Sequence, residues 1–533
     1  MAPLAQQIPP PVTTVDTVHS PVNPSWRKAN GYWTRECAGG EQAISYNQNM
    51  RDGHTELTVE VPFSANISTP ELIQRVRNAW LVSHSMYPEI AVQLSTRTEL
   101  PQMMKYEPLR TEADAASWLQ ETLHLVTDKP ARDVASMTYS RRLPTRGKRN
   151  MLYLVTAPAA DPKNPTHHCL VRNMSHVLAD AYSIVQFYNF FFQTLTHVPG
   201  DRNLTVHDLD YSTVLGRLPV TPVTPYEDQY RPTAQHKQDA ITTALGQTEL
   251  YTSKMPQSIA MYPSATSASR PHKTHCIRLQ YTLAESQSLL SYLRTQNLSI
   301  THAAAAATLL AVHQTYSRGH ETGALLGMTR NARRWVDTTT NREEGSSVPN
   351  AADVMFLWIP FKKEWIESRA GERGVGMGRN EVVLELAQSI KSAIGPHLAS
   401  PHYLSSLSFS SDRFVESLVA EGAEPVAAPV APGFSPQGAL ALEREFRSTS
   451  TGGSGGVAIK THDFVHTGRQ INASPWVGMF SLWERVTLSM GFDGKYYEPE
   501  TMEVFMDRVK GNLGSLVAGE ESERDLGPVR AKL

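Results

Sequence analysis

The run TELTVEVPF places Leu57, Val59, Val61 and Phe63 at every second position, the period of a strand buried on one face. Directly after it, STPELIQRVRNAWLVSH changes period. Leu72, Val76, Ala79 and Ser83 form a stripe at three- and four-residue spacing, flanked by Ile73 and Trp80. With Pro70 in the first turn, this predicts a capped amphipathic helix. NMLYLVTAP (150–158) and HHCLVRN (167–173) predict two further strands. Residues 178–195 return to helical spacing, with Ala181, Ile184, Tyr188, Phe191 and Leu195 on one face. His176 therefore falls where a strand gives way to a helix.

From 197 to 272 the pattern lapses into polar sequence rich in proline and threonine, broken by one helical stretch near 234–250. This segment reads as a crossover between two halves. The second half opens with strand THCIRLQYT and helix LAESQSLLSYLRTQN. Then come an alanine-rich helix (SITHAAAAATLLAVHQ) and strands GALLGMTRNAR and VMFLWIPF. Residues 420–438 are expected to form a mobile loop. The chain closes on strand VTLSM, an Asp493-Gly494 turn, and a helix burying Met502, Phe505, Met506, Val509 and Leu513. Each half mixes strands and helices, and the second roughly echoes the first.

Composition narrows the class without naming it. The 533 residues are 40% hydrophobic and 19% charged, with a net charge of −2. No global basic field points to nucleic acid or a membrane surface. Three cysteines (Cys37, Cys169, Cys276) show no paired spacing, which argues against a disulfide framework or a cysteine-based zinc site. No apolar run is long enough to span a bilayer, and the proline-rich start lacks the signature of a signal peptide. A cytoplasmic, monomeric protein is expected.

The candidate chemistry lies in HHCLVRNMSHVLAD. Histidines 167, 168 and 176 with Asp180 could bind a metal, carry out acid–base chemistry or fill a core. His167 and His168, adjacent on a strand, point to opposite faces, so at most one could join His176 and Asp180 as a ligand. No metal is expected. GGSGG (452–456) mimics a nucleophile elbow, but it lies in a glycine run rather than at a strand–helix turn. GVGMG (374–378) lacks the leading strand of a dinucleotide loop.

Strand, histidine at the turn, aspartate four residues on, then an aromatic-faced helix: this resembles the HxxxD acyltransferases. These include chloramphenicol acetyltransferase, the plant BAHD enzymes and the condensation domains of peptide synthetases. Their HHxxxDG motif is present with Ser175 for the first histidine and Ala181 for the glycine. GMTRNARR and SSVPNAADVMFLWIPF look like the second-half segment of BAHD-type enzymes, with Arg330 and Asn350 at the matching positions. The closing segment resembles fungal members that O-acetylate trichothecene-type sesquiterpenoids, a likeness spanning residues 25–515. The BAHD pentapeptide DFGWG is missing, so a plant-type enzyme is not expected.

The resemblance implies an α/β fold of two similar chloramphenicol-acetyltransferase-like domains with the active site in a tunnel between them. The expected division is a disordered segment 1–24, a domain 25–196 carrying HxxxD, a crossover 197–272, a domain 273–520 and a tail 521–533. It further implies acetyl-CoA as co-substrate, a small-molecule alcohol as acceptor, and His176 as general base without a covalent intermediate. Asp180 would support the catalytic turn by pairing with Arg330 from the other half. Lys460 is the candidate for the CoA phosphates. Two other readings keep the fold: a carrier-bound or longer acyl donor, and a binding protein without catalysis.

Overall fold

The computed structural model describes residues 25–517, apart from 147–148, 162, 165, 265–268, 336–347, 363–364, 366–377, 423–427 and 449–455. The expected disordered segment 1–24 and tail 521–533 lie outside the described residues, as do most of both glycine runs. The fold is mixed α/β, built on two seven-stranded sheets with a smaller four-stranded sheet beside them.

In the first sheet, strand Leu57–Ala65 pairs antiparallel with His168–Met174, which pairs with Met151–Val155, with Leu123–Val126 at the edge. The alternation read from sequence holds. Val59, Val61 and Phe63 are fully buried, and with Leu57 they join a core that includes Leu72, Val76, Ala79 and Trp80 of helix Thr69–Met86. Ser68 caps that helix by accepting from the Glu71 N–H at 3.4 Å. Trp80 stacks on Trp118 and meets Phe187 and Phe191 of helix Ala181–His197 edge-on. That aromatic layer fixes the helix following His176.

The second sheet runs in the order 274–280, 485–493, 476–482, 433–440, 323–331, 352–360, with 258–259 also paired to 323–331. Helix Ile300–Tyr316 carries five successive alanines, Ala303–Ala307, all with no exposed surface. A helix buried all round needs small side chains to let its neighbours approach. Helices Arg379–Ile394 and Pro499–Gly514 are those neighbours.

Two expectations change here. Strands Glu445–Arg447, Ala458–Thr461 and Val465–Gly468, counted in sequence with the second half, belong to the first sheet. The last two pair with Leu57–Ala65. The free side of that strand would otherwise present unpaired backbone groups, and the returning chain covers them. Asn66 reinforces the join, accepting from Ala458 N–H at 2.7 Å and donating to the Gly456 carbonyl at 3.0 Å. Residues 420–438, expected as a mobile loop, include the end of helix Leu407–Glu421 and most of strand Gly433–Leu440. The polar crossover carries helix Val223–Tyr230 as well as helix Ala234–Lys254, where the sequence suggested one.

Candidate active site

Strand His168–Met174 ends one residue before a short 3-10 turn, His176–Leu178, and helix Ala181–His197 starts at once after Asp180. Ser175 shapes the turn: its hydroxyl accepts from Val177 N–H at 3.2 Å and donates to Gln48 Oε1 at 2.6 Å. From the other half, the Asn350 amide donates to the His176 carbonyl at 2.7 Å, and the same nitrogen lies 3.3 Å from His176 Nδ1. Asn350 Oδ1 accepts from Ala352 N–H at 3.0 Å, which fixes the orientation of that amide. His176 Nε2 makes no hydrogen bond among the described residues.

Asp180 is buried and uses both carboxylate oxygens. Oδ1 caps the helix by accepting from Ser183 N–H at 3.0 Å, placing negative charge at the positive end of the helix dipole. Oδ2 accepts from Arg333 Nη1 at 2.5 Å and from Ala351 N–H at 2.9 Å. Both donors come from the second half. The Arg333 and Asp180 side chains are only 7% and 10% exposed. Arg333 also donates to the Val348 carbonyl at 2.5 Å and lies over the Tyr182 ring.

Arg330 is not the partner of Asp180. It lies on strand Gly323–Asn331 and donates through Nε and Nη2 to Asp353 at 2.9 and 2.7 Å, its cross-strand neighbour. Its guanidinium covers the Tyr403 ring at 3.4 Å. The strand stops at Asn331, and the turn Ala332–Arg334 swings Arg333 toward Asp180. Sequence reasoning chose the wrong arginine of TRNARR; the only available signal was that Arg333 lies beyond the strand and is free to leave the sheet.

The other histidines of the opening motif go elsewhere. His168 Nδ1 accepts from Ala157 N–H at 3.0 Å, and His167 stacks on His462 with centroids 3.9 Å apart. Among the described residues no group of three or more histidine, cysteine or acidic side chains could hold a metal ion. Lys460 is exposed on its strand, opposite Glu445. His466, which sequence reasoning passed over, lies near His176. Burial, then the neighbouring Arg278 guanidinium and His176 imidazole, push its own imidazole down to about 4.

No family model matches the chain. A curated relative from Pseudozyma antarctica (strain T-34), named acyl-CoA-dependent acyltransferase MAC1, is 33% identical over 551 residues, covering 94% of this chain and 97% of the relative. Among solved structures, the TRI3 trichothecene 15-O-acetyltransferase of Fusarium sporotrichioides superposes with a TM-score of 0.72 at 16% identity, covering 93% of this chain and 98% of that one. The first condensation domain of the calcium-dependent antibiotic synthetase gives 0.56 at 14% identity, covering 91% and 96%. At those identities the likeness to solved structures is one of fold: the two-domain acetyltransferase and condensation architecture.

Proposed function

The chain belongs to the acyl-CoA-dependent acyltransferases, and from that premise we propose that His176 is the general base for acyl transfer from a CoA thioester to a small-molecule alcohol. Nε2 takes the hydroxyl proton as the oxygen attacks the thioester carbon, forming the C–O bond. The tetrahedral intermediate then collapses, the C–S bond breaks, and the departing CoA thiolate receives the proton. Imidazole suits both transfers because its ordinary pKa lies near neutrality. No residue need be acylated.

One observation carries this reading: the turn bearing His176, on the first half, is held from the second, by Asn350 on its carbonyl and by Arg333 and Ala351 on Asp180. Asp180 acts as a positioning residue, with both oxygens occupied by its cap and its cross-half donors. A histidine aimed this way loses little orientational freedom on reaction.

The finer reading takes acetyl-CoA as donor and a trichothecene-type sesquiterpenoid alcohol as acceptor, as the name of the structural neighbour suggests. Incubation with acetyl-CoA and a panel of trichothecene alcohols, read by thiol release and product mass, tests it. Release that depends on the alcohol, with a product heavier by one acetyl group, is expected. Turnover only with longer acyl-CoA donors would move the donor and keep the reaction.

A further inference from the structure

His466 and its partner Gln437 have no part in the mechanism above. His466 stands opposite Val59 on strand Leu57–Ala65, and Val59 stands opposite Arg172 on the strand that leads to His176. Directly paired residues share a face of the sheet, so His466 faces the same side as Arg172, whose guanidinium lies over Phe187 of helix Ala181–His197. Gln437 arrives from strand Gly433–Leu440 of the second sheet, which packs on that helix. Its Nε2 lies 2.7 Å from His466 Nε2. The two residues therefore bridge the two sheets, with the His466 imidazole close enough to His176 to feel it electrostatically.

The pair does not satisfy itself. His466 Nδ1 and Gln437 Oε1 are both buried without a hydrogen-bond partner. Reversing the amide does not remove the deficit. If the Gln437 amino group donates to Nε2, an imidazole N–H and an amide oxygen are left over. If the oxygen accepts instead, an imidazole lone pair and amide N–H groups are left. In either orientation a donor and an acceptor remain unmet, in a place where native proteins rarely leave one. Gly478, one strand over, borders the pair closely: a Cβ there would lie 3.7 Å from Gln437 Nε2 and would crowd Ser489 Oγ at 2.7 Å. With the imidazole held down to about 4, this complement of one donor and one acceptor persists at neutral pH.

A hydroxyl both donates and accepts, whereas a thioester group only accepts. The reacting hydroxyl is already committed to His176. We propose that His466 and Gln437 bind a second hydroxyl of the acyl acceptor, so that the enzyme takes polyhydroxy alcohols and the pair selects which hydroxyl faces His176. This rests on the acyltransferase reading above.

The probes are cyclohexanol and trans-1,2-cyclohexanediol, with acyl-CoA as donor and thiol release as readout. Wild type should prefer the diol in kcat/KM by on the order of tenfold or more, as expected for hydrogen bonds made only by the second hydroxyl. In His466→Leu and in Gln437→Leu that preference should collapse, with KM for acyl-CoA unchanged. Gln437→Leu decides if the histidine variant does not fold. Unchanged preference in a folded variant, or a rise in KM for acyl-CoA instead, overturns the proposal. Binding is read independently of turnover by saturation-transfer NMR of the diol on His176→Ala and on His176→Ala with Gln437→Leu. Transfer lost with the second substitution supports the pair, and transfer retained overturns it. If wild type releases no thiol with either alcohol, the acyltransferase reading fails on these acceptors while the NMR comparison still decides the pair.

Discussion

At the scale of single residues, the site turns on which arginine meets Asp180. A buried carboxylate that loses its charged partner leaves an uncompensated charge, which costs roughly 3–5 kcal/mol. Arg333→Ala should therefore lower stability by about that amount and impair transfer. Denaturant unfolding of the single and double variants should give a coupling of roughly 0.5–3 kcal/mol between Asp180 and Arg333. Arg330→Ala should couple to Asp353 and leave Asp180 unaffected. Coupling between Asp180 and Arg330 instead would contradict the contacts described. His176 and Asp180 were legible because strand period, turn and helix period meet around them. Arg333 was not, because a strand pattern says which face a residue takes and nothing about where the chain goes once the strand ends.

At the scale of elements, long segments with a sustained period were readable and short ones were not. Strand Leu57–Ala65 and helix Thr69–Met86 carry their burial in their spacing. Strands Glu445–Arg447 and Ala458–Thr461, at 3 and 4 residues, are too short to show a period. Their place in the first sheet is set by the open edge they cover, a tertiary fact absent from their own sequence. The alanine run of helix Ile300–Tyr316 is the opposite case, its side-chain size already announcing close packing. Ala305→Leu should force strain into that contact and cost about 1–3 kcal/mol, seen as a lower denaturation midpoint. A midpoint equal to wild type would mean the neighbouring helices leave room.

At the scale of the whole molecule, the two halves share a sheet as well as a site. Beyond the strands of 458–468, Arg469 pairs with Asp52 at 2.6 Å, and Asn472 meets His54 at 2.9 Å. His54 is buried. Burial, then the charge of Arg51, pushes its imidazole from 6.5 down to about 3. The folded chain thus refuses a proton that the unfolded chain accepts below about pH 6.5. This contribution to stability is fully present above pH 6.5 and is lost as pH falls toward 3. Buried Glu56 and Glu89 and half-buried Glu60, each pushed up to about 7, act in the opposite sense between pH 4.5 and 7. A difference measurement isolates the histidine: the stability of His54→Leu minus that of wild type should rise steadily as pH falls from 6.5 to 4. A difference constant across that range would show that His54 is protonated in the fold.

The central claim is that His176 performs the proton transfer while the rest of the motif holds it in place. The most direct measurement is alcohol-dependent thiol release from acyl-CoA by His176→Ala, alongside its melting temperature. The account predicts wild-type stability with transfer reduced on the order of 10²–10⁴-fold. Near-normal release from a folded His176→Ala protein would contradict it.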